Sequence, residues 1–287
     1  MRHRRPSEHF KRRAVPELWQ FSDRQIRDLI REGHAEVVDG IVVPRIGGAT
    51  SAFVRAFTLR EQSSTANPFT FRLSSAPAAA AIVACFLVWN GSGTITGTGS
   101  LTDANSNTWQ FVQQGSNANG IVKAAFYWTT QDGGQLGTGT DISLTFSAIG
   151  TTNDKIAILV ELARVTGLDA FAKVNDNTAD NNLVSQSLAV ADNTIVLNCF
   201  GISTTAGISG FSPDTDNAWQ AAQSGGGGRG AAMENLDVTS AETLNPSGAT
   251  YTGTAAVSIN LIQSFTVSAA GPRDMLQQQP PVISRFA

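Results

Sequence analysis

This chain is short of the residues that soluble enzymes most often rely on. It has 287 residues and three histidines, His3, His9 and His34, so none follows position 34. A Ser-His-Asp or Cys-His arrangement therefore cannot form in the long remainder, because no imidazole is there to move the proton. A serine–lysine pair would have to use Lys123, Lys155 or Lys173, and no spacing points to one. Cysteine is equally scarce. Cys85 and Cys199 sit in apolar runs and read as small core hydrophobes, with the alternative that they are neighbours on paired strands. Two such thiols and three N-terminal imidazoles offer no tetrahedral zinc set. Charged residues make up 15% of the chain, against about a quarter in ordinary soluble domains. No apolar run approaches the ~18 residues of a membrane-spanning helix. The basic start MRHRRPSEHFKRR is not followed by an apolar stretch, so no secretory signal is read there. The expectations are a protein that is not an enzyme, binds no cofactor or metal, and is made in a cytoplasm.

What is present suits β-structure. Hydrophobic residues are 41% of the chain and glycine occurs 27 times. Ser, Thr, Asn and Gln fill the place of charge, as on sheets with short uncharged outer side chains and turns that need Gly and Asn. The net charge of −3 hides an asymmetry: residues 1–60 carry +5 and the rest −8.

Residues 1–14 read as a basic flexible arm that includes Arg12 and Arg13. Residues 15–50 read as a helix plus β-hairpin attachment segment. Ser22 and Gln25 form a capping box, Phe21 and Ile26 a hydrophobic staple, and Gly33 a stop. Ile26, Leu29 and Ile30 make one apolar stripe on that helix, with Trp19 just before it. Two short strands flank Asp39-Gly40, a pair suited to a type I′ turn, and Pro44 is expected to end the pairing. The acids Asp23, Asp28 and Glu32 balance Arg24, Arg27 and Arg31 on the helix. That balance argues against sequence-specific DNA reading and for a protein-facing surface. Residues 51–270 read as an antiparallel β-sandwich body, and 271–287 as an extended Pro/Gln-rich tail.

Within the body, strands are expected at 53–59, 69–73, 79–89, 94–102, 108–114, 120–130, 140–147, 155–165, 183–190, 194–203, 229–236 and 254–267. AIVACFLVW and IAILVEL are near-continuous apolar runs, as buried central strands are. No fixed-period repeat is visible. NDNTADNN (175–182) reads as a loop, and Glu161 as an outward or edge residue of its strand. Asp103, Asn105 and Asn107 copy the first ligands of a calcium loop, but Thr108 and Gln114 replace the glycine and glutamate that would close it. A polar turn is the better reading. The glycine-rich GSGTITGTGS and GGQLGTGT lack a following helix or Gly-Lys-Ser/Thr, so they read as strand turns. Trp109 and Trp219 are candidate ligand platforms, since an exposed indole can stack on a sugar.

The order AIVACFLVW, SLTDANSNTWQFVQQG, VKAAFYW, ISLTFS, IAILVELARVTGLD, ADNTIVLNCFG, VSINLIQSF resembles the jelly-roll-like β-sandwich modules of phage and prophage structural proteins over residues 78–267. Those modules repeat a D-x-x-G-N-x-W/Y hairpin, an aromatic strand, a V-x-E-x-S-G-V-D strand and a D-x-x-L-L strand. Here Ser106 stands for the glycine, and Thr166-Gly167-Leu168 for the Ser-Gly-Val step. The resemblance implies a virion component: a capsid decoration, head-fibre or tail-associated protein. It would attach to capsid or tail proteins through Arg12, Arg13, Trp19, Phe21, Ile26, Leu29 and Ile30 and form a homo-oligomer. The alternative is a glycan- or receptor-binding module that meets a host surface glycan.

Overall fold

The computed structural model describes residues 52–268, with breaks at several loops, and the backbone of two strands before them. It divides into two units, 51–268 and a smaller one made of 1–50 with 269–287. In the smaller unit, β1 (Ala35–Val38) and β2 (Ile41–Pro44) pair antiparallel around Asp39-Gly40, as the turn chemistry predicts, and Pro44 still pairs with Ala35. The expected helix and its attachment residues Arg12, Arg13, Trp19, Phe21, Ile26, Leu29 and Ile30 lie outside the described residues, as does the tail 271–287.

Among the described residues all regular structure is β-strand, and every pairing is antiparallel. The first half of the larger unit holds β3 (Phe53–Ala56), β4 (Arg60–Ser63), β5 (Phe69–Phe71), β6 (Ile82–Asn90) and β7 (Leu101–Asp103). It continues with β8 (Gln110–Ser116), β9 (Val122–Thr129), β10 (Ile142–Leu144) and β11 (Asp154–Leu162). The second half holds β12 (Val165–Asp180), β13 (Asn182–Leu183), β14 (Leu188–Val190), β15 (Thr194–Ile202), β16 (Gly207–Ser209) and β17 (Asn217–Gln223). After them come β18 (Arg229–Val238), β19 (Glu242–Leu244), β20 (Ala249–Thr252) and β21 (Ala256–Val267).

The two halves repeat one plan. The large sheet of the first runs β3-β11-β6-β9-β8, with β4 also on β11, and that of the second runs β12-β21-β15-β18-β17. A smaller sheet, β5-β10-β7, accompanies the first; β14-β19 and β13-β20-β16 accompany the second. Even the registers correspond. Val88 lies opposite Ala124 and Ile156, and Gly201 lies opposite Ala231 and Ile259. The irregularity opposite Glu161 in β11 recurs opposite Ser264 in β21.

Side-chain alternation places the layers. Ile82, Ala84, Phe86 and Val88 of β6, with Ile156, Ile158, Val160 and Leu162 of β11, face Leu197, Cys199, Met233, Ile259, Leu261 and Phe265 in one apolar layer between the large sheets. The intervening residues of β6, Val83, Cys85, Leu87 and Trp89, face the other way. They are covered by Phe69, Phe71, Leu101, Ile142 and Leu144 of the smaller sheet. On the far side of the second sheet, Val196, Val238 and Ile262 are covered by Leu188 and Val190. Strands β6, β11 and β15 are therefore buried along their whole length on both faces, which is why their sequences are near-continuous apolar runs.

Three expectations are corrected. Val165–Asp180 is one long strand, β12, paired with β21 through three irregularities, so 175–180 belongs to a sheet rather than a loop. A strand at 217–223 went unread. Of 94–102, only Leu101 and Thr102 fall in a strand, with a single bridge at Thr94. Both cysteines are free and buried, Cys85 toward the outer cluster and Cys199 toward the layer between sheets, so they are not neighbours on paired strands.

Candidate functional site

The polar residues singled out in the sequence mostly serve as internal ties. Asp103 ends β7, and one carboxylate oxygen accepts the Asn105 N–H at 2.8 Å and the Asn107 side-chain amide at 3.2 Å. Its other oxygen accepts the Trp109 indole N–H at 2.7 Å. Asn107 continues the tie: its side-chain oxygen accepts the N–H groups of Gly133 at 2.7 Å and Gly134 at 3.0 Å. The Asp103-Ala-Asn105-Ser-Asn107 stretch is thus a polar turn that pins the loop at 131–137. Ser106 has φ of 60°, the left-handed conformation that glycine adopts most readily. Trp109 is 3% exposed and packs in the outer cluster of the first half, so its ring offers no open face to a sugar. Trp219 lies on β17 opposite Met233.

Glu161 is 2% exposed, which corrects the outward reading. It accepts Arg55 Nε at 2.6 Å and the Ala78 N–H at 2.8 Å. Ala78 lies just before β6. The second half repeats this device with the roles moved across the strand pair. Asp169, in the irregular part of β12, accepts the Ala191 N–H at 3.1 Å just before β15, and the Ser264 hydroxyl at 2.8 Å. Each half thus uses one acid to hold the entry to its central strand.

Of the three lysines named as conceivable bases, Lys155 is buried and donates to the Ala66 carbonyl at 3.1 Å. Burial lowers its pKa from the ordinary value. The other two meet. Lys123 of β9 and Lys173 of β12 line one groove of about 420 Å³ with Trp89, Gly93, Gln114 and Asn175 among its walls. The groove lies at the seam where β8, the edge of the first sheet, runs against β12 and β21. Gly115 makes that approach: a Cβ there would lie 2.7 Å from Ile259 Cγ2 and 3.0 Å from Asn175 Oδ1. Lys123 Nζ donates to the Gly93 carbonyl at 2.9 Å, and Lys173 Nζ donates to the Gln114 carbonyl at 2.7 Å. Partial burial lowers the Lys123 pKa from its ordinary value. Among the described residues neither ammonium pairs with a carboxylate, and no carboxylate lines the groove. Sequence spacing carries no signal for this meeting, since it depends on how the two sheets are stacked.

No family model, no curated protein and no solved structure matches this chain.

Proposed function

We propose that the chain is a structural component of a bacteriophage virion, attached to the particle through its N-terminal segment and displaying a β-sandwich body. Its place would be that of a capsid decoration, head-fibre or tail-associated protein. The observation that carries this reading is the doubled strand plan. Within each half, a large sheet in the order β3-β11-β6-β9 or β12-β21-β15-β18 accompanies a smaller sheet system, β5-β10-β7 in the first half. We read this as a jelly-roll-like path with one edge strand, β8 or β17, moved onto the larger sheet. Jelly rolls build viral capsid and lectin domains, and the fold alone does not choose between them.

Two further features favour the particle. Asp103, Asn107, Glu161 and Asp169 are spent on hydrogen bonds that hold turns and strand entries, as suits a part selected for rigidity. The segment 1–60 carries +5 against −8 on the rest, which gives an arm suited to gripping an acidic neighbour. Partners in this reading are other virion proteins, reached through Arg12, Arg13, Trp19, Phe21, Ile26, Leu29, Ile30 and the tail, and further copies of the chain. The test is a chain lacking residues 1–50. It should stay in the soluble lysate with its β-structure intact and be missing from particles; unchanged incorporation would remove the attachment role. The second reading, a glycan- or receptor-binding module, is favoured by the seam groove with its two lysines.

A further inference from the structure

We infer that the seam groove is a binding site for an acidic saccharide, with Lys123 and Lys173 holding its carboxylate or sulfate group and the surrounding amides holding its hydroxyls. The inference stands on the groove alone and holds whether or not the chain is part of a particle. Two ammonium groups face a space of about 420 Å³, within the volume range of small-ligand sites. Each spends one hydrogen on a backbone carbonyl, and an ammonium has three to give. No carboxylate answers either charge among the described residues, so an anion entering the groove has no competing acid to displace.

The rest of the lining favours a sugar over a bare ion. Among the described residues, the side-chain amides of Gln114 and Asn175 make no hydrogen bond, though both line the groove beside Thr94 and Ser116. Amides of this kind can both donate to and accept from sugar hydroxyls. Phe171 lies two positions before Lys173 on the same face of β12 and is 52% exposed, the largest exposure of any large hydrophobic among the described residues. An exposed ring two residues along the strand from a groove-lining lysine offers a flat apolar surface on which a pyranose face can pack. Gly115 is required at this place because a side chain would close the seam against Ile259 and Asn175.

The test is calorimetric titration of the full chain, at low ionic strength, with a glucuronate-containing disaccharide, its neutral glucose-containing counterpart and inorganic sulfate. The acidic disaccharide should bind at least about tenfold more tightly than either of the others. Lys173→Met and Lys123→Met should each weaken it by about tenfold, the loss expected for one charge-assisted hydrogen bond. Lys173 is exposed, so Lys173→Met keeps the test intact if Lys123→Met fails to fold. Sulfate binding as tightly as the disaccharide would overturn the saccharide assignment. Absence of binding, or binding that Lys173→Met leaves unchanged, would overturn the site.

Discussion

Val88 and Gly201 hold the same position in the two large sheets, and they meet across the layer between them. Each lies at the same register of its central strand, opposite Ala124 and Ile156 in one sheet and Ala231 and Ile259 in the other. A Cβ on Gly201 would lie 3.2 Å from Val88 Cγ2. Equivalent residues touching is what a local two-fold relation between the halves requires, and the identity chosen at one position is the complement of the other. The outer strands are reciprocal too: β8 packs on β12 and β21, while β17 packs on β11 and β4.

This contact sets a first prediction. Gly201→Val should destabilise the body by about 1–3 kcal/mol, the usual cost of overpacking a close-packed layer. Adding Val88→Ala to it should recover part of the loss, as read by urea unfolding. Equal losses in the single and double variants would mean that the two positions do not share that space.

The paired acids give a second. Glu161→Ala leaves the Ala78 N–H without its carboxylate and Arg55 without its ion-pair partner, and should cost about 1–3 kcal/mol. Glu161→Gln keeps an acceptor for Ala78 and should cost less. Asp169→Ala should act the same way in the second half, through Ala191. Amide hydrogen exchange at Ala78 and Ala191 reads each effect separately, with faster exchange expected only at the residue whose acid is removed.

A third concerns the polar pair buried in the seam. Gln113 donates its amide to the Ile262 carbonyl at 3.1 Å and to Gln263 Oε1 at 3.2 Å, and Gln263 donates to the Leu197 carbonyl at 2.7 Å. Gln263→Leu takes an acceptor from Gln113 and should cost about 1–3 kcal/mol. Replacing both with leucine removes donor and acceptor together. The double variant should be at least as stable as the single one in thermal unfolding; a further loss would show that Gln113 does not depend on Gln263.

The fourth is a pH dependence. Asp132 accepts both the N–H and the hydroxyl of Thr108 at 2.7 Å. These bonds hold its carboxyl below the ordinary value. A lowered pKa stabilises the fold above the unfolded pKa of about 4 and is lost as pH falls through the lower, folded value. The stability difference between the unaltered chain and Asp132→Asn should therefore be constant near neutral pH and shrink in acid below about pH 4. A difference that does not vary across that window would remove the role assigned to these bonds.

Much of the frame was legible because burial on both faces writes itself as continuous apolar sequence: β6, β11 and β15 were all found. Strand β12 was not. Its Asn175-Asp176-Asn177-Thr178 stretch has the composition of a turn, and only its pairing with β21 makes it a strand. The doubling was hidden for two reasons. Equivalent positions carry different residues, Val88 against Gly201 and Val160 against Gln263. The separation between equivalents also shortens along the chain, from Val88 and Gly201 through Ala124 and Ala231 to Ile156 and Ile259, because loops differ in length. No single period survives that drift. Lys123 and Lys173 are legible in the sequence only singly, as conceivable bases. Their sharing of one groove belongs to the stacking of the sheets, which local pattern does not encode.

In the proposed role the chain is built into a particle. Quantitative mass spectrometry of density-purified particles, from a culture producing this chain, measures it directly against the major shell protein. The account predicts a fixed stoichiometric ratio that survives repeated banding. Absence of the chain from particles, with the protein left in the soluble lysate, would contradict it.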